Sequence, residues 1–265
     1  MIGAIAGDIV GSVYEGSGLK SKRFALLGPG SRFTDDSVLT VAVARAIMEN
    51  LDYRTAVLEL GRKYPDAGYS PQFRAWLSAP APQPYQSFGN GAAMRASPVG
   101  FAFDTEEAVL REAGKTAEIS HDHPKGIMGA QATALAVFLA RTGASKQSIR
   151  TELAGRFKYD LQRSVDQIRP AYRFDLSCEG TVPQAVTCFL DAQSYEDALR
   201  NAVSLGGDSD TLACIAGAIA HAFYGEVPVH IVSSVREILA PELWSITERF
   251  CARFGISLCA CEARR

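Results

Sequence analysis

The chain has 265 residues, 47% of them hydrophobic, so it contains enough apolar material to bury a substantial core. Its 27 basic and 29 acidic side chains give a formal net charge of −2, which argues against a partner attracted by charge alone, such as nucleic acid or an anionic membrane. Six cysteines with no CxxC pair do not form the pattern of a small disulfide-stapled domain, so we expect reduced thiols and a cytoplasmic protein.

No secretory signal and no membrane segment is expected. Residues 1–14 are apolar but contain no basic side chain, and Asp8 interrupts the run. The longest later apolar run covers residues 212–224, which is shorter than the ~20 residues that a bilayer-spanning helix needs.

Apolar residues recur with helical spacing through most of the chain. Asp104, three residues before Glu107, predicts the N-cap of a helix over 105–119. The predicted helices cover residues 37–48, 105–119, 124–140, 145–156, 182–192, 195–204, 211–224, 228–239 and 241–253. Runs with the two-residue period of strands are nearly absent. We therefore predict an all-α fold, a compact orthogonal multi-helix domain over residues 1–265, and a monomer, since no heptad seam is present.

Two segments resist helix assignment. Residues 15–33 are rich in glycine and are a candidate mobile loop. Residues 78–91 combine prolines with glycines, so this stretch is predicted to be extended and then to turn sharply.

Two acidic motifs stand at predicted helix starts. Thr34, Asp35 and Asp36 precede one apolar helix, and Asp208, Asp210 and Thr211 open another. A helix start needs one capping side chain, whereas each motif offers three oxygen donors. If the motifs meet in the fold, their carboxylates repel one another unless cations lie between them. Oxygen ligands without His or Cys favour Mg²⁺ or Mn²⁺, leave Ca²⁺ open and argue against Zn²⁺, and the number of donors fits two ions better than one.

These motifs belong to a longer ordered set. The set is Gly7-Asp8-x-x-Gly11-x-x-Tyr14-Glu15, Phe33-Thr-Asp-Asp-Ser37, Gly89-Asn-Gly-Ala-Ala-Met-Arg95, Ser120-His121-x-His123-Pro124 and Gly206-Gly-Asp-Ser-Asp-Thr211. In order and spacing it resembles the ADP-ribosylglycohydrolases, the family named after the dinitrogenase reductase-activating glycohydrolase. The resemblance extends from Gly3 to about Gly225.

The resemblance implies an all-α hydrolase with two Mg²⁺ or Mn²⁺ ions that cleaves the C1″ glycosidic bond of ADP-ribose conjugates and releases ADP-ribose. It implies Glu15, with Asp35 and Asp36, as catalytic carboxylates. The Tyr14-Glu15 pair is similar to the branch of the family that acts on O-linked ADP-ribose. The implied metal ligands are Thr34, Asp35, Asp36, Asp208, Asp210 and Thr211.

The same resemblance indicates where the substrate binds. The turn before the 92–95 segment looks like a phosphate cradle, because glycines let backbone N–H groups face an anion at a helix start. Either Phe88 or Tyr85 is expected to stack on adenine. The expected substrate contacts are Ser87, Phe88, Gly89, Asn90, Gly91, Met94 and His121.

Two other functions stay open from the residues alone. One is a module that binds ADP-ribose without cleaving it, although every expected ligand is present. The other is a metal-dependent nucleotide phosphohydrolase, although the sequence has no His-Asp metal motif of that type. The acceptor also stays open, because a protein side chain, a small molecule or a nucleic acid can carry the same ADP-ribose group.

Overall fold

The computed structural model describes residues 1–258, and the regular secondary structure of this part of the chain consists of helices, without a strand. Its one ladder contact is an isolated antiparallel bridge between Gly89 and Ser177. The helices are α1 (Ile2–Gly11), α2 (Asp35–Glu49), α3 (Tyr53–Lys63), α4 (Pro71–Ser78), α5 (Gly91–Met94), α6 (Ser97–Ala102), α7 (Glu106–Glu118), α8 (Pro124–Arg141), α9 (Lys146–Phe157), α10 (Val165–Ile168), α11 (Cys178–Asp191), α12 (Tyr195–Val203), α13 (Ser209–Tyr224), α14 (Val229–Ile238) and α15 (Pro241–Arg253).

The predicted all-α fold is confirmed, and the differences lie at helix boundaries and in helices that the sequence did not predict. Helix α7 is capped by Thr105, whose side chain accepts from the Ala108 N–H, so the predicted cap at Asp104 is wrong. Asp104 instead forms an ion pair with Arg141. Helix α11 begins four residues before its predicted start, because Ser177 provides a cap there.

Helices α3 and α4 are absent from the predicted set, although both carry start signals. Asp52 caps α3 by accepting from the Thr55 N–H, and Ser70 caps α4, with Pro71 at the first helical position. Both segments predicted to be non-helical, 15–33 and 78–91, are non-helical except for the ends that join α4 and α5.

Helix α1 lies at the centre of the fold, and all of its residues are buried. Gly3, Gly7 and Gly11 repeat every fourth residue and form a stripe along one side of it. A Cβ atom added at Gly7 would lie 2.0 Å from the Ala213 carbonyl oxygen, and one at Gly11 would lie 2.4 Å from Asp210 Cα. The glycine stripe therefore lets α1 and α13 approach backbone to backbone.

Helix α8 fills the other half of the core. It packs against helices that include α6, α11 and α13. A glycine again allows two helices to approach closely, since a Cβ added at Gly129 of α8 would lie 2.4 Å from Cys178 Sγ of α11. Cys178, Cys188 and Cys214 are buried free cysteines, and Cys251 is buried as well. Cys259 and Cys261 lie outside the described residues.

Candidate active site

The two acidic motifs meet at the start of α2 and the start of α13. Thr211 Oγ1 donates to Asp36 Oδ2 at 3.2 Å, which joins the two helix starts directly. Carboxylate oxygens of Asp8, Asp36 and Asp210 lie within 4.8 Å of one another, and so do those of Glu15, Asp208 and Asp210. Helix α1 accounts for the convergence, because its glycine stripe fixes α13 while Asp8 binds the α2 start.

Asp8 holds the start of α2 with four hydrogen bonds. Its Oδ2 accepts from the Thr34 N–H at 2.9 Å, the Ser37 N–H at 3.1 Å and the Ser37 hydroxyl. Its Oδ1 accepts from Thr34 Oγ1 at 2.7 Å. The Thr34 hydroxyl proton is thereby directed to Asp8, and Thr34 Oγ1 accepts from the Asp36 N–H at 3.3 Å, which leaves one lone pair of this oxygen for a ligand.

The acidic cluster is short of positive charge. Burial, followed by the charge of Asp210, raises the pKa of Asp8 to about 7 and that of Asp35 to about 8. The same two causes raise the pKa values of Asp36 and Asp208 well above the ordinary range. Asp36 Oδ1 is buried and has no hydrogen-bond partner within residues 1–258.

These residues fit a divalent cation. Buried carboxylates that repel one another, an unpartnered carboxylate oxygen and two threonine hydroxyls supply the hard oxygen donors that Mg²⁺, Mn²⁺ and Ca²⁺ prefer. A cation between the helix starts would remove both the repulsion and the unpartnered oxygen.

Glu15 lies at the open edge of the cluster, on the loop that follows α1. Its side chain lines the same cavity as Asp35 and Asp210. Burial and the charge of Asp210 raise its pKa, and the nearby Arg32 guanidinium opposes the shift. The backbone after it is anchored by a hydrogen bond from the Gly16 N–H to the Gly207 carbonyl at 3.2 Å.

The acidic cluster forms one end of a cavity of about 740 Å³, a size that suits a nucleotide-sized ligand. All of the substrate-contact residues predicted from the sequence line it: Ser87, Phe88, Gly89, Asn90, Gly91, Met94 and His121. The lining also includes residues that the sequence did not single out, among them Arg32, Tyr69 and Phe174. Phe88 is 53% exposed at the rim, whereas Tyr85 is half-buried beside His121, with ring centroids 5.7 Å apart.

The turn before α5 is built differently from a simple phosphate cradle. The Asn90 N–H donates to the Leu176 carbonyl at 2.7 Å, and the Gly89 N–H to Ser87 Oγ at 3.2 Å. Asn90 Nδ2 donates to Asp208 Oδ2 at 2.6 Å, so its side chain orients an acidic residue of the cluster. Among residues 1–258, the Gly91 N–H has no acceptor and stays available to a ligand.

His121 is buried in the wall of the cavity, where the neutral imidazole is favoured. Burial, followed by the charge of Arg95, lowers its pKa well below the usual value. Its Nδ1 is 2.8 Å from Ser120 Oγ, which leaves Nε2 toward the cavity side of Gly91. His123 caps α8, because its Nδ1 accepts from the Lys125 N–H at 3.1 Å.

Comparison with known proteins identifies the fold and its family. Residues 1–257 match the family model described as ADP-ribosylglycohydrolase. The chain belongs to the ADP-ribosylglycohydrolase family. It is 30% identical to ADP-ribosylhydrolase ARH3 of Bos taurus, over 85% of this chain and 84% of that protein. It is 28% identical to ADP-ribosylhydrolase ARH3 of Mus musculus, over 85% and 82% of the two chains.

A solved structure titled ADP-ribosylglycohydrolase-related protein complex superposes with a TM-score of 0.70 at 21% identity, covering 97% of both chains, and supports the fold. As a member of the ADP-ribosylglycohydrolase family the chain is an enzyme, as the sequence predicted. No helix within residues 1–258 combines the length and the apolar character needed to cross a membrane.

Proposed function

We propose that this ADP-ribosylglycohydrolase hydrolyses the C1″ glycosidic bond of ADP-ribose conjugates with two Mg²⁺ or Mn²⁺ ions bound at the acidic cluster. The observation that carries the proposal is the meeting of two buried acidic helix starts at one end of a nucleotide-sized cavity. The proposed ligands are Thr34, Asp35, Asp36, Asp208, Asp210 and Thr211. Bound there, the ions would supply positive charge that orients and polarises the ribose hydroxyls.

The protein's own groups account for the rest of the reaction. The Gly91 N–H and His121 Nε2 lie where they can bind the diphosphate and adenosine half of the substrate. Glu15, whose pKa is raised by burial and by the charge of Asp210, is a stronger base than an ordinary glutamate and is suited to accept a proton. It would deprotonate or position a water whose oxygen bonds to C1″ while the C1″–O bond breaks, and the proton lost by the water would end on the departing acceptor oxygen.

The preferred conjugates are O-linked. The Tyr14-Glu15 sequence supports this preference, because it resembles the branch of the family that acts on O-linked ADP-ribose. The similarity to proteins named ADP-ribosylhydrolase ARH3 supports the hydrolysis of ADP-ribose conjugates. The chain is proposed to act as one domain and as a monomer.

A substrate panel tests the proposal. The wild-type enzyme is incubated with ADP-ribosylserine peptide, ADP-ribosylarginine protein and O-acetyl-ADP-ribose, with Mg²⁺ or with EDTA, and free ADP-ribose is measured. Metal-dependent release of ADP-ribose is expected. Tight binding without turnover would identify a binding module, and release of AMP would identify a phosphohydrolase.

Two substitutions test the assigned residues. Asp210→Ala is expected to abolish turnover together with the metal-dependent rise in melting temperature. Glu15→Gln is expected to bind ADP-ribose like the wild type while losing most of its turnover. Glu226→Gln is the matched control, because Glu226 is exposed and does not line the cavity. A Glu15→Gln enzyme with the wild-type rate would remove Glu15 from the mechanism.

A further inference from the structure

Two cations next to the cavity donate to the same carbonyl oxygen. Lys20 Nζ lies 2.8 Å and Arg173 Nη1 2.9 Å from the carbonyl oxygen of Tyr172. Lys20 also donates to the Leu205 carbonyl, and Arg173 to the Pro170 carbonyl at 3.1 Å. Neutral carbonyl dipoles therefore hold two positive charges side by side, and an anion would relieve their repulsion.

Neither cation has a carboxylate partner among residues 1–258, whereas neighbouring cations do. Lys22 pairs with Asp197, and Arg169 pairs with Asp166. Burial, followed by the charges of Arg173 and Arg169, lowers the pKa of Lys20. Both side chains of the pair are exposed. Lys20 has a third N–H, and Arg173 has Nε and Nη2, to offer to a ligand.

The pair lies where the Glu15 loop meets the segment before α13. Gly206, at φ +66°, is packed so closely that an added Cβ would lie 2.6 Å from the Leu19 carbonyl oxygen. A Cβ at Gly207 would lie 2.5 Å from the Tyr172 ring. Arg173 directly precedes Phe174, which lines the cavity. The two charges therefore stand outside the cavity, on the edge that carries Glu15.

We infer that Lys20 and Arg173 form an anion-binding site for the acceptor, and that it selects peptide conjugates with an acidic side chain beside the ADP-ribosylated residue. The inference rests on the proposed function, which places C1″ near Glu15 and therefore the acceptor beyond it. Two cations at one point match a single carboxylate. A nucleic-acid backbone is a row of phosphates that several cations contact, and the chain's net charge of −2 adds no attraction for it.

The test uses ADP-ribosylserine peptides of equal length whose neighbouring residues are acidic, neutral or basic. Both kcat/KM and binding by fluorescence anisotropy are measured for the wild type and for Lys20→Ala/Arg173→Ala. Lys158→Ala/Arg163→Ala is the matched control, because each of those exposed cations also donates to a carbonyl and forms no ion pair within the described residues.

The wild type is expected to prefer the acidic over the basic peptide by roughly five-fold at low salt, since an exposed ion pair contributes up to ~1 kcal/mol. The preference should fall as salt is added. The double alanine variant should treat the peptides alike, and the control should keep the preference. Lys20→Glu/Arg173→Glu should prefer the basic peptide.

Equal values for the acidic and basic peptides in the wild type would overturn the inference, and so would an unchanged ratio in the double variant. An oligonucleotide conjugate that is hydrolysed faster than the acidic peptide, and loses this advantage in the double variant, would also overturn it in favour of nucleic acid. Turnover of all peptides at the same rate would overturn this inference and leave the proposed function intact. Absence of both binding and turnover would overturn the proposed function as well.

Discussion

Replacing Asp8 with Asn changes the charge at the centre of the site while keeping the shape of the side chain. Of the two amide orientations, the less disruptive one keeps the oxygen at the Oδ2 position, where three donors converge. The amide NH₂ then faces Thr34 Oγ1, where the carboxylate oxygen had accepted at 2.7 Å. Thr34 must now accept a hydrogen bond and turn its proton toward the acidic cluster.

The expected magnitude follows from these contacts. Loss of a group that orients a metal ligand lowers metal affinity about 10–100-fold. At saturating metal this removes about 1.4–2.7 kcal/mol of the metal-dependent stabilisation. For a protein of this size the metal-dependent rise in melting temperature should shrink by roughly 3–10 °C. Without metal, Asp8→Asn should lower the melting temperature by less than this amount, because the substitution removes a buried charge that Asp210 repels.

The assay compares thermal unfolding and isothermal titration with Mg²⁺ or Mn²⁺ for the wild type and Asp8→Asn. Asp160→Asn serves as the control, because Asp160 is exposed and only caps a local turn. Metal affinity within two-fold of the wild type would refute the role of Asp8 in orienting Thr34. A large loss of stability without metal would show that Asp8 acts only on the fold.

Three further outcomes are expected. Gly7→Ala should destabilise the protein by about 1–3 kcal/mol in chemical denaturation, because the added Cβ would lie 2.0 Å from a carbonyl oxygen of α13. The control is Gly155→Ala in α9, where an added Cβ has nothing within 4 Å and should be neutral or stabilising. Equal effects of the two substitutions would contradict the close contact between α1 and α13. Asn90→Ala should lower metal affinity about 10-fold in titration, because Asp208 loses the hydrogen bond that orients it, and unchanged affinity would show that this bond is dispensable. The folded pKa of Asp35, about 8, exceeds its ordinary value of 3.8, so the folded metal-free protein binds more protons than the unfolded chain between about pH 4 and 8. The melting temperature of the metal-free protein should therefore fall as pH rises through that window, and saturating Mg²⁺ should reduce the fall. A melting temperature that rises with pH would mean that the protein's own groups neutralise the carboxylates of the cluster without metal.

The sequence predicted the helical fold and the residues of the acidic cluster because these depend on local signals. Helix periodicity, capping residues and consecutive oxygen donors can be read within a few positions of Asp36 or Asp210. The partners of Asp8 could not be predicted in this way. They depend on how α1 lies against the α2 start, which only the packed fold determines.

The turn before α5 illustrates the same limit. Its glycines indicated backbone N–H groups facing an anion, but two of those groups bind Leu176 and Ser87 instead. The pairing of Lys20 with Arg173 was equally hidden, because the two residues come from separate loops that meet only at the Tyr172 carbonyl. Contacts between distant loops carry no local pattern in the sequence.

The glycine stripe on α1 has a consequence for how such a chain can diverge. Helix α1 positions the start of α13 directly and the start of α2 through Asp8. The geometry of the metal site therefore depends on the distance between the axes of α1 and α13. Positions 3, 7 and 11 are therefore closed to any side chain. The side chains of Lys20 and Arg173 are exposed and bind only loop carbonyls, so substrate preference can change through these two side chains while that distance is kept.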